Sequence, residues 1–362
     1  MNDFIEYWAA ARLLLNGDDP YAPSQLLKIQ QTLGWTQPVP LIMWNPPWTL
    51  SLTFPLGLLD YETAQFLWFL VHALIVFVGA RLLWQIYGGA DRTSRLSWAI
   101  ALTFAPTYFV LLLGQIGPLI LLGVIGFLYF IRRGAGGLAG ASMTLVSIKP
   151  HLLYLMWLAF FLWILNRRQW KALAGFIVAG AVIVSVPLSL NTAIYSQYLQ
   201  LFAGDGIVRP LDWATPSLGT ALGEIFSIRG SWVRWLPSFG GAIWFLCYWS
   251  RRAAMWDWLH EAPLILLVSV ATASFAWTFD QIVLLPALIQ CGLWLFRSDD
   301  LSRRRIFVAV YLGISLTLLI SKVFVRNDFW YFWAAPAFLI FYLWVRASFD
   351  ASSSQKPLSV PA

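Results

Sequence analysis

Apolar stretches follow one another from residue 61 to residue 346, and that succession limits what this chain can fold into more than any other feature. The runs cover approximately 61–87, 96–112, 117–132, 137–148, 151–166, 171–189, 232–249, 262–279, 282–297, 306–325 and 329–346. A segment surrounded by lipid must satisfy its own backbone polar groups, so runs of this kind are helices. Several fall short of the roughly 20 residues of a plain span. Those cross a locally thinned bilayer or line a cavity where water reaches the backbone. Charged residues make up 11% of the chain and hydrophobic ones 59%, against roughly 25% charged in a soluble domain. The expectation is an all-α polytopic membrane protein with about 11 transmembrane helices.

Charge orients those helices. The net charge is +7, but the cations come as short clusters between apolar runs and form no nucleic-acid patch. Arg92/Arg95, Arg132/Arg133, Arg167/Arg168/Lys171, Arg251/Arg252, Arg297/Arg303/Arg304/Arg305 and Arg346/Lys356 fall in every second connection. Cytoplasmic loops carry such an excess. The opposite connections, chiefly 1–60 and 190–231, then face outward across the plasma membrane. The chain divides into an outer segment 1–60, a helical domain 61–346 with its outer loop 190–231, and a disordered cytoplasmic tail 347–362. Within 1–60, a short helix from Asp3 ends at Gly17, a second covers Tyr21 to Gln37, and 48–59 is too short to span and is re-entrant or interfacial. Cys247 and Cys291 both lie in apolar runs, so no disulfide framework is implied. No P-loop, dinucleotide fingerprint or nucleophile elbow is present.

The residues capable of chemistry collect on the outward side, among them Asp3, Glu6, Asp19, Gln115, Lys149, His151, Arg209, Asp280 and Arg326. Each also has an ordinary structural reading. Asp3 is placed as a helix N-cap, with Glu6 completing a capping box. Asp19 before Pro20-Tyr21 fits a turn acid. Asp280 fits a cap for a helix starting at Gln281, or an intramembrane functional acid. Lys149 interrupts an apolar stretch, where a lone cation costs about 2.5–3.5 kcal/mol; its alternative is snorkelling to the interface.

Several motifs together carry a family resemblance. Asp3-Phe4-x-x-Tyr7-Trp8-Ala9-Ala10-Ala11, followed by Leu15-Asn16-Gly17-Asp18-Asp19-Pro20-Tyr21, resembles the first outer loop of glycosyltransferase family 87. Asn45-Pro46-Pro47-x-x-Leu50 is similar to the family's tyrosine-Pro-Pro segment, with Asn45 in place of Tyr. Gly114-Gln115-Ile116-Gly117 resembles its Gly-Gln-Ile-Asn segment, and Ser147-Ile148-Lys149-Pro150-His151 its Lys-Pro segment. Thr215-Pro216-Ser217-Leu218 is similar to its Asn-Gln-Ser-Leu loop, with two departures.

The resemblance implies a GT-C-like bundle with an outward-facing catalytic cavity. It implies a sugar moved from a polyprenyl-phosphate donor, mannosyltransferase-like, to a hydroxyl on a glycolipid or glycan acceptor. It also implies a spanning helix ahead of the Asp3 motif; only Met1 and Asn2 precede it, so that helix is expected upstream. Asp3 is then the leading general base, with Asp19 and Asp280 as the other carboxylates. Lys149, His151, Gln115, Arg209, Ser217 and Arg326 are the substrate-binding candidates. The only Asp pairs, Asp18-Asp19 and Asp299-Asp300, do not form the Asp-x-Asp that holds a metal for nucleotide sugars, so no metal and no other cofactor is expected. The rival reading is a transporter or flippase of a lipid-linked sugar. Transporters usually show two similar halves with broken helices in matching positions, and no such halves are visible here.

Overall fold

The structure, a computed structural model, describes residues 3–203, 213–228, 230–298, 300–325 and 327–354. Arg209, Arg326 and the tail from residue 355 lie outside the described residues. Among those described there are helices and turns and no strand. In chain order the helices are α1 (Phe4–Leu15), α2 (Pro23–Thr32), α3 (Leu50–Thr53), α4 (Tyr61–Ile86), α5 (Arg95–Thr103), α6 (Ala105–Leu113), α7 (Gly117–Arg132), α8 (Gly136–Val146) and α9 (Tyr154–Arg167). They continue with α10 (Trp170–Leu190), α11 (Ile194–Ala203), α12 (Leu218–Ile225), α13 (Leu236–Arg252), α14 (Trp258–Thr272), α15 (Leu285–Arg297), α16 (Leu301–Phe324) and α17 (Ala334–Ser354).

The apolar runs thus fold as helices, but their lengths differ. Five helical segments are long and apolar enough to cross a membrane: Tyr61–Ile86, Trp170–Leu190, Phe279–Arg297, Leu301–Phe324 and Asp328–Asp350. A sixth candidate is bent by 64° between Asp91–Thr103 and Ala105–Leu113. The bend has a cause in sequence. Pro106 lacks an N–H and its ring clashes with a helical carbonyl one turn back, and Phe104 turns extended at ψ 112°. The Thr107 hydroxyl donates to the freed Ala101 carbonyl at 2.7 Å. By length alone the number of spans is therefore five or six among the described residues, below the eleven expected.

The chain forms two compact units. The first comprises Met1–Val76, Phe109–Pro150 and Ile164–Trp213. Its opening helix α1 is apolar nearly all round and almost wholly buried, as a core helix must be. Twelve residues make a marginal helix in isolation, so packing holds it. Asn16 ends it and Gly17 takes φ 78°, a backbone conformation natural only to glycine. Arg12 donates to the Gly57 carbonyl at 2.7 Å, and Gly57 lies so close to Ala11 that a side chain there has no room. The segment 47–58 is a chain of short 3-10 and α turns rather than a continuous helix.

Helices α7, α8 and α10 of this unit pack backbone to backbone. A Cβ added at Gly123 would stand 2.8 Å from that of Leu145, one at Gly140 1.8 Å from the Ala172 carbonyl oxygen, and one at Gly175 1.9 Å from that of Gly137. Small residues allow this approach, which is how helices associate without a hydrophobic driving force. The trio fixes the end of α8, where the Ser147–Pro150 turn leaves.

The second unit comprises Phe77–Tyr108, His151–Trp163 and Ala214–Ala362. Its core is the buried helix α14 with its neighbours α13, α15 and α17. Ser269 accepts from the Leu155 N–H at 3.2 Å and donates to the Leu152 carbonyl at 3.0 Å. That tethers the start of α9 within this unit.

Candidate active site

Four separate stretches of the first unit meet around Asp3. The Asp3 N–H donates to the Leu113 carbonyl at 2.7 Å, which pins the start of α1 to the end of α6. Gly114 follows at φ 68°, and the Trp68 indole of α4 donates to its carbonyl at 2.7 Å. Gln115 is thereby turned toward α1. Its amide nitrogen donates to Asp3 Oδ2 at 2.9 Å, and its oxygen accepts from the Tyr7 hydroxyl at 3.1 Å. Tyr7 is fully buried against Trp68.

The capping expectation for Asp3 is corrected here. Asp3 stands at the N-cap position but makes no side-chain cap hydrogen bond, and its dihedrals are already helical. Its carboxylate is committed sideways, to a residue 112 positions away. Glu6 does not complete a capping box either. Its side chain is buried and hydrogen bonds with Tyr7.

Lys149 supplies the positive charge. Asn45 donates to the Ile148 carbonyl at 3.4 Å and so braces the turn that carries Lys149. The half-buried ammonium acts electrostatically on both Asp3 and Glu6. Burial pushes the Asp3 carboxyl above the ordinary carboxylate range, while the Gln115 hydrogen bond and the Lys149 charge pull it back. Glu6 is pushed up to about 8, by burial first and by the neighbouring Asp3 charge second. Glu6 therefore holds its proton at neutral pH, and the Lys149 charge favours the ionised form of Asp3. Two adjacent carboxyl groups titrate apart in this way when like charges are close.

Asp19 Oδ1 accepts from the Tyr21 N–H at 2.9 Å, the turn-acid geometry, and burial raises its pKa. In the second unit, Asp280 is almost wholly buried and its Oδ2 accepts from the Trp277 N–H at 3.0 Å. It closes a turn behind itself, and the cap of that 3-10 helix is Thr278 rather than Asp280. Ser217 caps α12, accepting from the Thr220 N–H at 3.2 Å, and is buried. The His151 ring packs edge-on against Phe275 at 5.8 Å. Among the described residues, no three His, Cys, Asp or Glu side chains are grouped to hold a metal ion.

Glu6, Tyr7 and Asn45 lie around Asp3 and Lys149, yet the sequence marked Glu6 only as one chemistry-capable acid among several, and Tyr7 and Asn45 only as motif positions. Glu6 looked like a capping partner. The signal that could have found it is a single carboxylate inside a helix whose only other charge is Arg12.

A polytopic helical chain with a carboxylate, a carboxamide and a lysine brought together is the kind of site a membrane group-transfer enzyme needs. Comparison with family models matches residues 44–280 to Glycosyltransferase family 87. The match covers well over half of the chain, and the chain belongs to that family. It is therefore a membrane glycosyltransferase. The match includes Gln115 and Lys149 and begins after the Asp3 motif. No curated protein matches, and no solved structure does.

Proposed function

We propose that the protein transfers a sugar from a polyprenyl-phosphate monosaccharide to a hydroxyl of a lipid or glycan acceptor, at the outer face of the plasma membrane. Asp3 is the general base. The acceptor oxygen attacks the anomeric carbon, and its proton passes to Asp3. The bond between the anomeric carbon and the phosphate oxygen breaks, and the electron pair leaves with the lipid phosphate. Lys149 stabilises the negative charge of that leaving group. A positioned base contributes about 10²–10⁴-fold, and a fixed charge where charge develops contributes about as much.

The observation that carries this reading is the Asp3–Gln115–Tyr7 chain beside Lys149. A rotatable carboxylate is a poor base. One held by a carboxamide whose own orientation is set by a buried phenol is kept in a single pose. The count of about eleven spans belongs to the same proposal, with the shorter apolar helices crossing a thinned or water-lined region. Mannose is the sugar the family resemblance favours.

The test is transfer in membranes containing the protein. Polyprenyl-phosphate mannose should serve as donor, with EDTA present. A strict requirement for a nucleotide sugar, or complete loss in EDTA, contradicts the proposal.

A further inference from the structure

The second unit carries a groove of about 760 Å³ that the transfer chemistry leaves unused. Helix α13 forms its floor through Pro237, Gly241, Trp244 and Tyr248, and α14 and α17 form its sides. These four positions make a stripe at helical spacing. From Leu236 to Tyr248 the stripe rises about 18 Å, close to the depth of one leaflet of a roughly 30 Å hydrocarbon core. Phe239, Ile243 and Leu246 beside it are exposed and apolar, as expected of a surface against lipid tails.

The hydroxyls of the wall, Thr272 and Tyr248, are already partnered. The Tyr154 and Thr272 hydroxyls pair at 2.7 Å, and Ser238 donates to the Thr272 carbonyl at 2.8 Å. The groove therefore offers an apolar chain its surface and offers a sugar or a peptide little to bond.

One end differs. The Tyr248 hydroxyl donates to the buried Glu261, and Arg346 hydrogen bonds Tyr248 and lies 3.1 Å from the His260 ring. The next positions of the α13 stripe, one turn beyond Tyr248, are Arg251 and Arg252, both exposed. Of the acids nearby in sequence, Glu261 is engaged by Tyr248 and His260, and Asp257 caps the Leu259 N–H. The stripe runs from an apolar trough into a cationic end.

We propose that this groove is a binding site for an anionic phospholipid, one acyl chain lying along α13 and the headgroup phosphate on Arg251, Arg252 and Arg346. The arginine clusters face the cytoplasm in the topology above, so the occupant comes from the inner leaflet. The proposal does not depend on the identity of the transferase donor.

Gly240 supplies the test. It lines the groove, and a Cβ added there meets nothing within 4 Å. Gly240→Phe therefore adds a ring at the trough from a Cβ that is itself clear of the walls. The wild-type protein and the variant are taken from vesicles of equal phosphatidylglycerol and phosphatidylcholine, and retained lipid is read by native mass spectrometry. Wild type should retain phosphatidylglycerol about 30-fold or more over phosphatidylcholine, the scale expected of two or three basic residues at a lipid surface. Gly240→Phe should lose the retained lipid at an unchanged melting temperature, with Gly240→Leu as the smaller substitute if Phe does not fold. Arg251→Ser with Arg252→Ser leaves the Glu261 cluster intact and should keep a lipid but lose the preference. Equal retention of the two lipids by wild type, or undiminished phosphatidylglycerol in a folded Gly240 variant, overturns the proposal.

Discussion

Gln115 Nε2 stands 2.9 Å from Asp3 Oδ2, across 112 residues of chain. The amide has two ends, and the other is held by the Tyr7 hydroxyl at 3.1 Å. A carboxamide that rotated would present its oxygen to the Asp3 carboxylate, acceptor to acceptor. The Tyr7 hydroxyl prevents that. Tyr7→Phe keeps the buried ring and removes only the hydroxyl. It should lower kcat by about 5-fold, the worth of one hydrogen bond between neutral groups, with little change in the KM for donor. An unaltered kcat in Tyr7→Phe would mean that Gln115 needs no such support.

The same contact gives a pH signature. Burial raises the Asp3 pKa, and the Gln115 hydrogen bond and Lys149 charge lower it. The base must be ionised to work, so activity should fall on the acid side above the ordinary Asp range. Removing a group that lowers the pKa moves that limb toward higher pH. Gln115→Ala and Lys149→Ala should both shift the acid limb of the kcat/KM profile upward. A limb that stays in place in both variants would assign it to a group other than Asp3.

Lys149 has a second readout. Lys149→Ala should raise the donor KM and lower turnover together, whereas Lys149→Arg keeps the charge and part of both. Kinetics unchanged in a folded Lys149→Ala protein would leave the lysine with a snorkelling role alone.

Glu6 links pH to stability. Its carboxyl is raised from an ordinary 4.5 to about 8 by burial and by Asp3. The folded state therefore holds this proton more tightly than the unfolded state does. That contribution is fully present below about 4.5 and is lost progressively as pH rises to about 8. Glu6→Gln keeps the shape and cannot ionise. Its melting temperature in detergent should decline less than that of wild type between those limits, and parallel curves would contradict the assignment.

Much of this was legible in the sequence, and the parts that were not share one physical reason. Helix positions followed from apolar runs, and the stop of α1 from Gly17. The bend at Phe104 was visible as Pro106 but was absorbed into one apolar run. The number of spans does not follow from the runs alone, because an apolar run as short as the 11 residues of α8 packs backbone to backbone against α7 and α10. At the site, Lys149 stood out as a charge in an apolar stretch and Asp3 through the motif that resembles the family's first outer loop. Gln115 was named as well, but its contact with Asp3 was not visible, since local pattern rules see only neighbours in sequence. Asp3 and Glu6 match a capping box at three-residue spacing, yet a long-range contact to Gln115 draws the carboxylate away. Asn45 registered only as a departure from tyrosine, although its side chain braces the Lys149 turn.

The close helix packing offers a stability test of its own. A Cβ at Gly140 would overlap the Ala172 carbonyl oxygen at 1.8 Å. Gly140→Val should therefore destabilise the protein by about 1–3 kcal/mol, the cost of overpacking, read as a lower melting temperature. Gly240→Ala, where space is open, should melt as wild type does. Equal melting of the two variants would deny the backbone contact between α8 and α10.

The most direct measurement is turnover of Asp3→Asn with a polyprenyl-phosphate sugar donor and a saturating acceptor. Asn matches the shape of Asp, and its carbonyl can still accept from Gln115, so the pose is kept and only the proton acceptor is lost. The side chain makes no cap hydrogen bond to α1, so the helix should not suffer. The account predicts a fall in kcat of about 10² or more, with melting temperature unchanged and Asp19→Asn losing far less. Wild-type turnover in a folded Asp3→Asn enzyme would contradict it and remove Asp3 from the mechanism.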